Sequence, residues 1–318
     1  MHHLRPVSTV STFVLLAAVT SCASGCGASE GPDGSGKAAA VTTFEATAGP
    51  WTLDPGGEKT ECLVFRLDNP EGAFIRRLRG WLGDGSHHMT LYKSVDAVER
   101  REPFPCAAFE SSFRGDRPIF IAQQRQTELS FPHDEEGTPI GFRIEPRQMV
   151  RIEMHYVNMS PEPASVESRI LLETVPLSTK VVETDIAFWT TFDIEIPPSS
   201  AHATEVKFTR GLEGSRSFAL TTHQHHLATR MRVWHADSAS DAEGRLVANS
   251  TDWANPPLEI FDPPLVFGDG GKTGLAFQCE WTNPTPRTVT VGESVEDEMC
   301  LLWHYYYPSR GFHYVVVP

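Results

Sequence analysis

Met149-Val150-Arg151-Ile152-Glu153-Met154-His155-Tyr156 alternates apolar and polar side chains strictly from Val150 onward. A period of two places successive side chains on opposite faces, which is the mark of a strand packed on one side. Glu61-Cys62-Leu63-Val64-Phe65-Arg66-Leu67 is a second short β-rich run, and Ile170-Leu171-Leu172-Glu173-Thr174 a third. Clusters of Pro, Gly and Asp separate such runs, and no long stretch keeps a helical period. The 24 prolines and 24 glycines suit turns between strands better than helix interiors. The predicted class is all-β, arranged as sandwiches.

The region before the strands reads differently. Arg5, an apolar run from Val10 to Val19, and Val19-Thr20-Ser21-Cys22 form a leader that ends in a lipobox, with Cys22 as the lipidated residue. The apolar run is too short to cross a bilayer. Cys26 fits a cleavage site less well, because Ala23 stands where a larger aliphatic residue is usual. Residues 1–22 are therefore read as a lipoprotein signal peptide and 23–41, rich in Gly, Ala, Ser and Pro, as a flexible tether. A lipid anchor makes this an exported protein of the bacterial cell envelope. A break is expected at Val175-Pro176-Leu177-Ser178, dividing the folded part into 42–176 and 177–318.

The formal net charge of -14 is spread without a Lys/Arg cluster, which argues against a nucleic-acid partner. Of six cysteines, Cys62, Cys106, Cys279 and Cys300 fall in the folded part. Export makes disulfides expected. Four cysteines allow three pairings, and the residues alone do not choose among them. Cys62 with Cys106 and Cys279 with Cys300 keep each link within one half of the chain, and each would contribute roughly 3 to 4 kcal/mol by restricting the unfolded chain.

The histidines cluster. His87-His88-Met89 follows the turn-like Gly83-Asp84-Gly85-Ser86. Neighbouring side chains on a regular strand face opposite ways, so joint use of His87 and His88 requires a bulge or a strand end. His155 sits on the alternating strand quoted first, where a lone histidine is ordinarily a packing residue. In His223-Gln224-His225-His226, His223 and His225 are two apart, and on a strand both rings would project from one face as a two-point chelate. His226 would point away and support or pack. Asp297-Glu298-Met299-Cys300 precedes Leu301-Leu302-Trp303-His304-Tyr305-Tyr306-Tyr307-Pro308. A thioether such as Met299 beside two imidazoles is a soft donor that selects copper, particularly the reduced ion. His133, His202, His235, His304 and His313 belong to no such motif and are read as surface or packing residues.

From Cys62 to Pro308 these motifs, in this order, resemble the copper type II ascorbate-dependent monooxygenases, a family that includes dopamine beta-monooxygenase and peptidylglycine alpha-hydroxylating monooxygenase. The resemblance implies two consecutive antiparallel jelly-roll-like sandwiches, each with one copper, facing each other across a solvent-filled cleft. It assigns His87, His88 and His155 to the electron-storing copper, and His223, His225 and Met299 to the copper where O2 and substrate react. It also implies ascorbate or a similar electron donor, a small-molecule substrate, and the disulfides Cys62–Cys106 and Cys279–Cys300. Three positions depart from the family pattern. Thr221 and Leu301 replace an arginine and an asparagine of the peptide-amidating member, and Ser94 replaces a cysteine near the first histidine pair. Without the arginine fork, a peptide carboxylate has no evident partner. The other readings of the chain are a non-catalytic exported copper-binding lipoprotein and a metal-free adhesive sandwich.

Overall fold

The computed structural model describes residues 40–241 and 243–318. The leader, the lipobox at Cys22, the alternative at Cys26 and nearly all of the tether lie outside the described residues. Apart from one turn of helix, the regular structure among the described residues is all β-strand, as the alternation required. Among the described residues no helix is long and apolar enough to cross a membrane.

Strands are numbered in chain order. One sheet of the first half runs β1 (Thr42–Leu53), β10 (Ala164–Pro176), β3 (Ala73–Leu82), β8 (Ile140–Ile144) and β11 (Val182–Glu183), with β7 (Gln126–Ser130) also on β3. The facing sheet runs β5 (Arg100–Pro105), β2 (Glu58–Arg66), β9 (Met149–Val157), β4 (Ser86–Lys93) and β6 (Arg117–Ala122). In the second half, one sheet runs β19 (Leu258–Val266), β16 (Arg216–His223), β22 (Leu301–Tyr307), β12 (Asp185–Thr190) and β23 (His313–Val316). Its partner runs β14 (Ser200–Ala203), β20 (Gly274–Asn283), β17 (Ala228–Ala236) and β18 (Arg245–Ser250), with β15 (Lys207–Arg210) on β20. A two-stranded piece, β13 (Glu195–Ile196) with β21 (Val289–Thr290), and the single turn of helix α1 (Glu110–Phe113) complete the set.

Pairing is antiparallel except where β11 joins β8 and β23 joins β12. The run Leu301–Tyr307, buried along its whole length, shows how the halves meet. Leu302 and Tyr306 belong to the core between the two C-terminal sheets, together with Ala187, Leu220 and Phe277. Leu301, Trp303, Tyr305 and Tyr307 point the other way, into a core shared with the N-terminal half. A sheet covered on both faces must be apolar on both, and the unbroken Leu-Leu-Trp-His-Tyr-Tyr-Tyr sequence meets that demand.

The same burial changes the reading of β9. Its polar residues do not face water: Arg151, Glu153 and His155 are all buried. Each is partnered. Arg151 meets Asp116 and Asp96, Glu153 accepts from Tyr92 Oη and the Phe109 amide, and His155 meets Glu58. Both disulfides are present, Cys62–Cys106 and Cys279–Cys300.

A polar tie joins the halves beside this shared core. The buried Asp185 carboxylate accepts from Arg117 Nε at 2.9 Å, Ser309 Oγ at 2.6 Å and the Gly311 amide at 3.1 Å. Removing one partner of a buried ion pair leaves the other charge uncompensated. Arg117 keeps some access to water, which moderates the penalty. Asp185→Ala is expected to lower unfolding free energy by about 2 to 3 kcal/mol in urea titrations; a loss below about 0.5 kcal/mol would show that the tie adds nothing.

Candidate metal centre

The turn before β4 places Gly85 at φ 71°, a left-handed conformation that glycine adopts freely. The register of β4 on β9 then slips between Ser86 and His88, the irregularity that joint use of His87 and His88 demands. His88 lies directly across from His155. His87 lies 5.2 Å from His88 and 5.3 Å from His155, and His88 is 5.2 Å from His155, ring centre to ring centre.

His223 is the last residue of β16, but His225 lies beyond the strand. Strand alternation therefore does not bring the His223 and His225 rings together. A carboxylate does. Glu298 accepts from the amides of His225 (3.0 Å) and Leu227 (2.8 Å), from Trp281 Nε1 (2.8 Å) and from the Met299 amide (3.3 Å). It thus fastens the His223–His226 turn to the Met299 loop. Burial raises its carboxyl to about 7, with these donors pulling it down. His226 turns aside and meets the Val295 carbonyl.

The expectation of two separated centres across a solvent-filled cleft is overturned. His87 lies 5.2 Å from His223 and 5.9 Å from His225, and His88 lies 5.1 Å from His223. All five rings are at most 5% exposed. The physical reason is the shared core: with β16, β22 and β12 buried on both faces, the histidine-bearing ends of the two sandwiches close on each other.

Six imidazole nitrogens in this cluster are buried without a protein partner: His87 Nε2, both nitrogens of His88, His155 Nδ1, His223 Nε2 and His225 Nε2. In three rings the other nitrogen is held. His223 Nδ1 meets Gln123 Oε1 at 2.6 Å, His225 Nδ1 meets the Asp297 carbonyl at 3.1 Å, and His155 Nε2 meets Glu58 Oε1 at 2.8 Å. An acceptor at one nitrogen fixes the tautomer and leaves a lone pair at the other, the usual support of a metal-binding histidine. Burial first, then repulsion among the rings, holds His87, His88 and His223 well below the ordinary histidine value, and His225 at about 4. These four rings are neutral at physiological pH, the form that ligates metal. The residues fit a metal of the imidazole-binding kind.

Met299 follows Glu298, whose carboxylate also holds the His225 amide, and it lines an apolar pocket of about 250 Å³ with Phe109, Phe188, Thr190, Glu293 and Leu301. None of the five histidines lines that pocket, and neither does any Lys or Arg. Phe109 separates the two spaces, its ring stacked on His88 at 5.0 Å and edge-on to His223 at 5.4 Å.

Four residues that matter here carried no role in the sequence reading. Glu298 stood inside a quoted motif, unassigned. Gln123 and Glu58 lie 100 and 97 residues from the histidines they hold, so no local pattern marks them. Phe109 stands at φ 59°, with its amide tied to Glu153, and nothing in the run of letters shows it. Thr221, which replaces the arginine of the amidating pattern, accepts from Gln123 Nε2 at 3.1 Å and so helps to orient the Gln123 that supports His223.

Residues 190–315 match the family described as copper type II ascorbate-dependent monooxygenase, C-terminal domain. No curated protein sequence matches the chain. Among solved structures it is similar to the major capsid protein P2 from Bacteriophage PM2, with TM-score 0.35 and 10% identity, covering 82% of this chain and 99% of that one. A structure from Sulfolobus Turreted Icosahedral Virus gives TM-score 0.35 and 9% identity, covering 83% of this chain and 90% of that one.

Glu58 supplies a pH test. Burial pulls its carboxyl up, but hydrogen bonds from His155, the Val295 amide and Ser294 Oγ outweigh this and bring it from 4.5 down to about 2. A depressed carboxyl stabilises the fold above the unfolded value, and that stability is lost as pH falls through the folded value. The stability gap between wild type and Glu58→Gln is expected to be full above pH 4.5 and to close as pH drops towards 2. Parallel pH–stability curves for the two proteins would contradict the assignment.

Proposed function

We propose, from the premise that this chain belongs to the copper type II ascorbate-dependent monooxygenase family, whose C-terminal domain its residues 190–315 match, that it hydroxylates a C–H bond of a small organic substrate. One oxygen atom of O2 enters the substrate and the other leaves as water, with the electrons drawn from ascorbate or a similar reductant. The observation that carries this reading is the set of buried, unpartnered imidazole nitrogens in rings oriented from behind by Gln123, Glu58 and the Asp297 carbonyl. Two copper ions per chain are proposed, with His87, His88, His155, His223, His225 and Met299 as the pool of ligands. Bound copper would supply one-electron chemistry with O2, and the soft thioether of Met299 favours the reduced ion.

The chain's own residues do the rest. Gln123 and Glu58 each hold one nitrogen of His223 and His155 and so aim the other. Phe109 and the buried sheet faces exclude water from the imidazoles. Met299 is the one proposed ligand that also lines the apolar pocket, which supports placing the substrate on its side of the centre. A copper carrier has no use for such a pocket, and its presence favours the enzyme over the non-catalytic copper-binding lipoprotein. The occupation of Thr221 by Gln123 and the lack of Lys or Arg in the pocket argue against peptide amidation. The two disulfides support export to an oxidising compartment, and the sequence of the leader supports attachment there through Cys22.

The copper-loaded chain is expected to consume O2 with ascorbate in a substrate-dependent way, with a hydroxylated product in matching amount. Met299→Ala and His223→Ala should each lower that rate by at least about a hundredfold, a loss near 2.7 kcal/mol. A chain that takes up copper fully yet forms no product from a broad panel of aromatic and aliphatic amines and amides would defeat the enzymatic reading.

A further inference from the structure

We infer that the apolar pocket lined by Met299 is an aromatic cage for an organic cation, and that the guest it selects is a methylated ammonium carrying a small apolar body. That this guest is the molecule hydroxylated rests on the monooxygenase reading above; that the pocket binds it does not.

Five aromatic rings line this pocket, those of Phe109, Phe113, Phe188, Phe192 and Tyr314. Four of them interlock. Phe113 stands edge-on to Tyr314 at 4.9 Å, Tyr314 stacks on Phe188 at 5.3 Å, and Phe188 tilts against Phe109 at 5.5 Å, ring centre to ring centre. An aromatic face carries partial negative charge and attracts a cation that comes within about 6 Å of the ring centre. Phe109 and Phe188 are buried, whereas Phe113 and Phe192 are 64% and 52% exposed, which puts the latter two at the mouth. Val291, also exposed, borders the same opening. Scattered apolar side chains on a surface need no explanation, but several gathered round one opening mark a place where something binds.

Charge narrows the choice of guest. Among the described residues Glu293 is the one charged side chain that lines the pocket. Burial holds its carboxyl above the ordinary range; the Ala108 amide draws it down, and the neighbouring Glu110 carboxylate pushes it up again. A cation at the mouth relieves that repulsion, and a carboxylate guest would add to it. Hydrogen bonding then selects for methylation. A primary ammonium brings three N–H donors, and each needs an acceptor once it leaves water. Apart from Glu293, the polar side chains here are Thr190 and Tyr314, and the Thr190 hydroxyl is engaged with the Cys300 carbonyl at 3.0 Å. A methylated ammonium brings few donors or none and packs its methyl groups against ring faces. The volume of about 250 Å³ equals that of roughly eight waters at about 30 Å³ each, room for a benzyl or short alkyl group with its ammonium head.

The test uses the full chain loaded with Cu(II), without reductant, and reads binding by equilibrium dialysis. Benzyltrimethylammonium should bind at least about tenfold more tightly than benzylammonium. Equal affinities, or the reverse order, would overturn the selection of a methylated cation. Glu293→Gln should weaken benzyltrimethylammonium by at least about threefold and leave its uncharged analogue, neopentylbenzene, unchanged. Tyr314→Leu keeps an apolar wall but removes a ring face, and it should cost the cation at least about threefold more than the analogue. Losses that are equal for cation and analogue, or no loss at all, would show an apolar slot indifferent to charge and overturn the cage. The comparison of the two ammonium ions on the unaltered chain needs no variant, so it decides the question even where Tyr314→Leu fails to fold. Because binding is read without turnover, a chain that holds the cation and never hydroxylates it loses the monooxygenase reading and keeps this one. A chain that hydroxylates uncharged substrates while ignoring the cation loses this one alone.

Discussion

Six imidazole nitrogens lie buried between the two sandwiches without a protein partner, and each such group left dry costs about 1–3 kcal/mol. A fold can retain them only if something else binds them or if the surrounding packing is strong enough to carry the penalty. Here the packing is a sheet buried on both faces, whose strands β16, β22 and β12 place one set of side chains in the C-terminal core and the other against the first half. The supports cross the same seam: Gln123 from the first half holds His223 of the second, and Glu58, which holds His155, also accepts from Ser294 Oγ and the Val295 amide. Closing the seam and orienting the ligands are one event.

Strands such as β9 were legible in the sequence because their side chains alternate with a period of two. What covers them was not legible. Arg151, Glu153 and His155 look like the wet face of a half-buried strand, and they are dry because residues far away in sequence, Asp116, Phe109 and Glu58, come to meet them. The six proposed ligands could be named because the four short motifs keep their order. The reason given for the pairing of His223 with His225 was nevertheless wrong. His225 has already left the strand, and the Glu298 carboxylate, gathering amides from both loops, does what alternation was expected to do. Supports that act over about a hundred residues of separation leave no local trace; those within a motif do, and Glu298 could have been suspected.

The disulfides also bear on the site. Cys300 follows Met299 directly and is joined to Cys279 on β20, while Cys106 lies three residues before Phe109 and is joined to Cys62 on β2. Each link therefore anchors one of the two irregular segments that border the pocket. Irregular backbone is where a fold is ordinarily most mobile, and cross-links at these points hold Met299 and Phe109 in place without lengthening any strand.

Phe109 draws these threads together. Its backbone is held in a left-handed conformation by the buried Glu153, whose carboxyl burial lifts to about 8, and its ring forms a wall between imidazoles on one side and the apolar pocket on the other. A non-glycine residue at positive φ is costly, and such strain persists only where the surroundings impose it. The imposition here comes from β9, the same strand that carries His155. One strand thus carries His155, a proposed ligand, and two residues earlier fixes the Phe109 ring that stands between the imidazoles and the pocket lined by Met299.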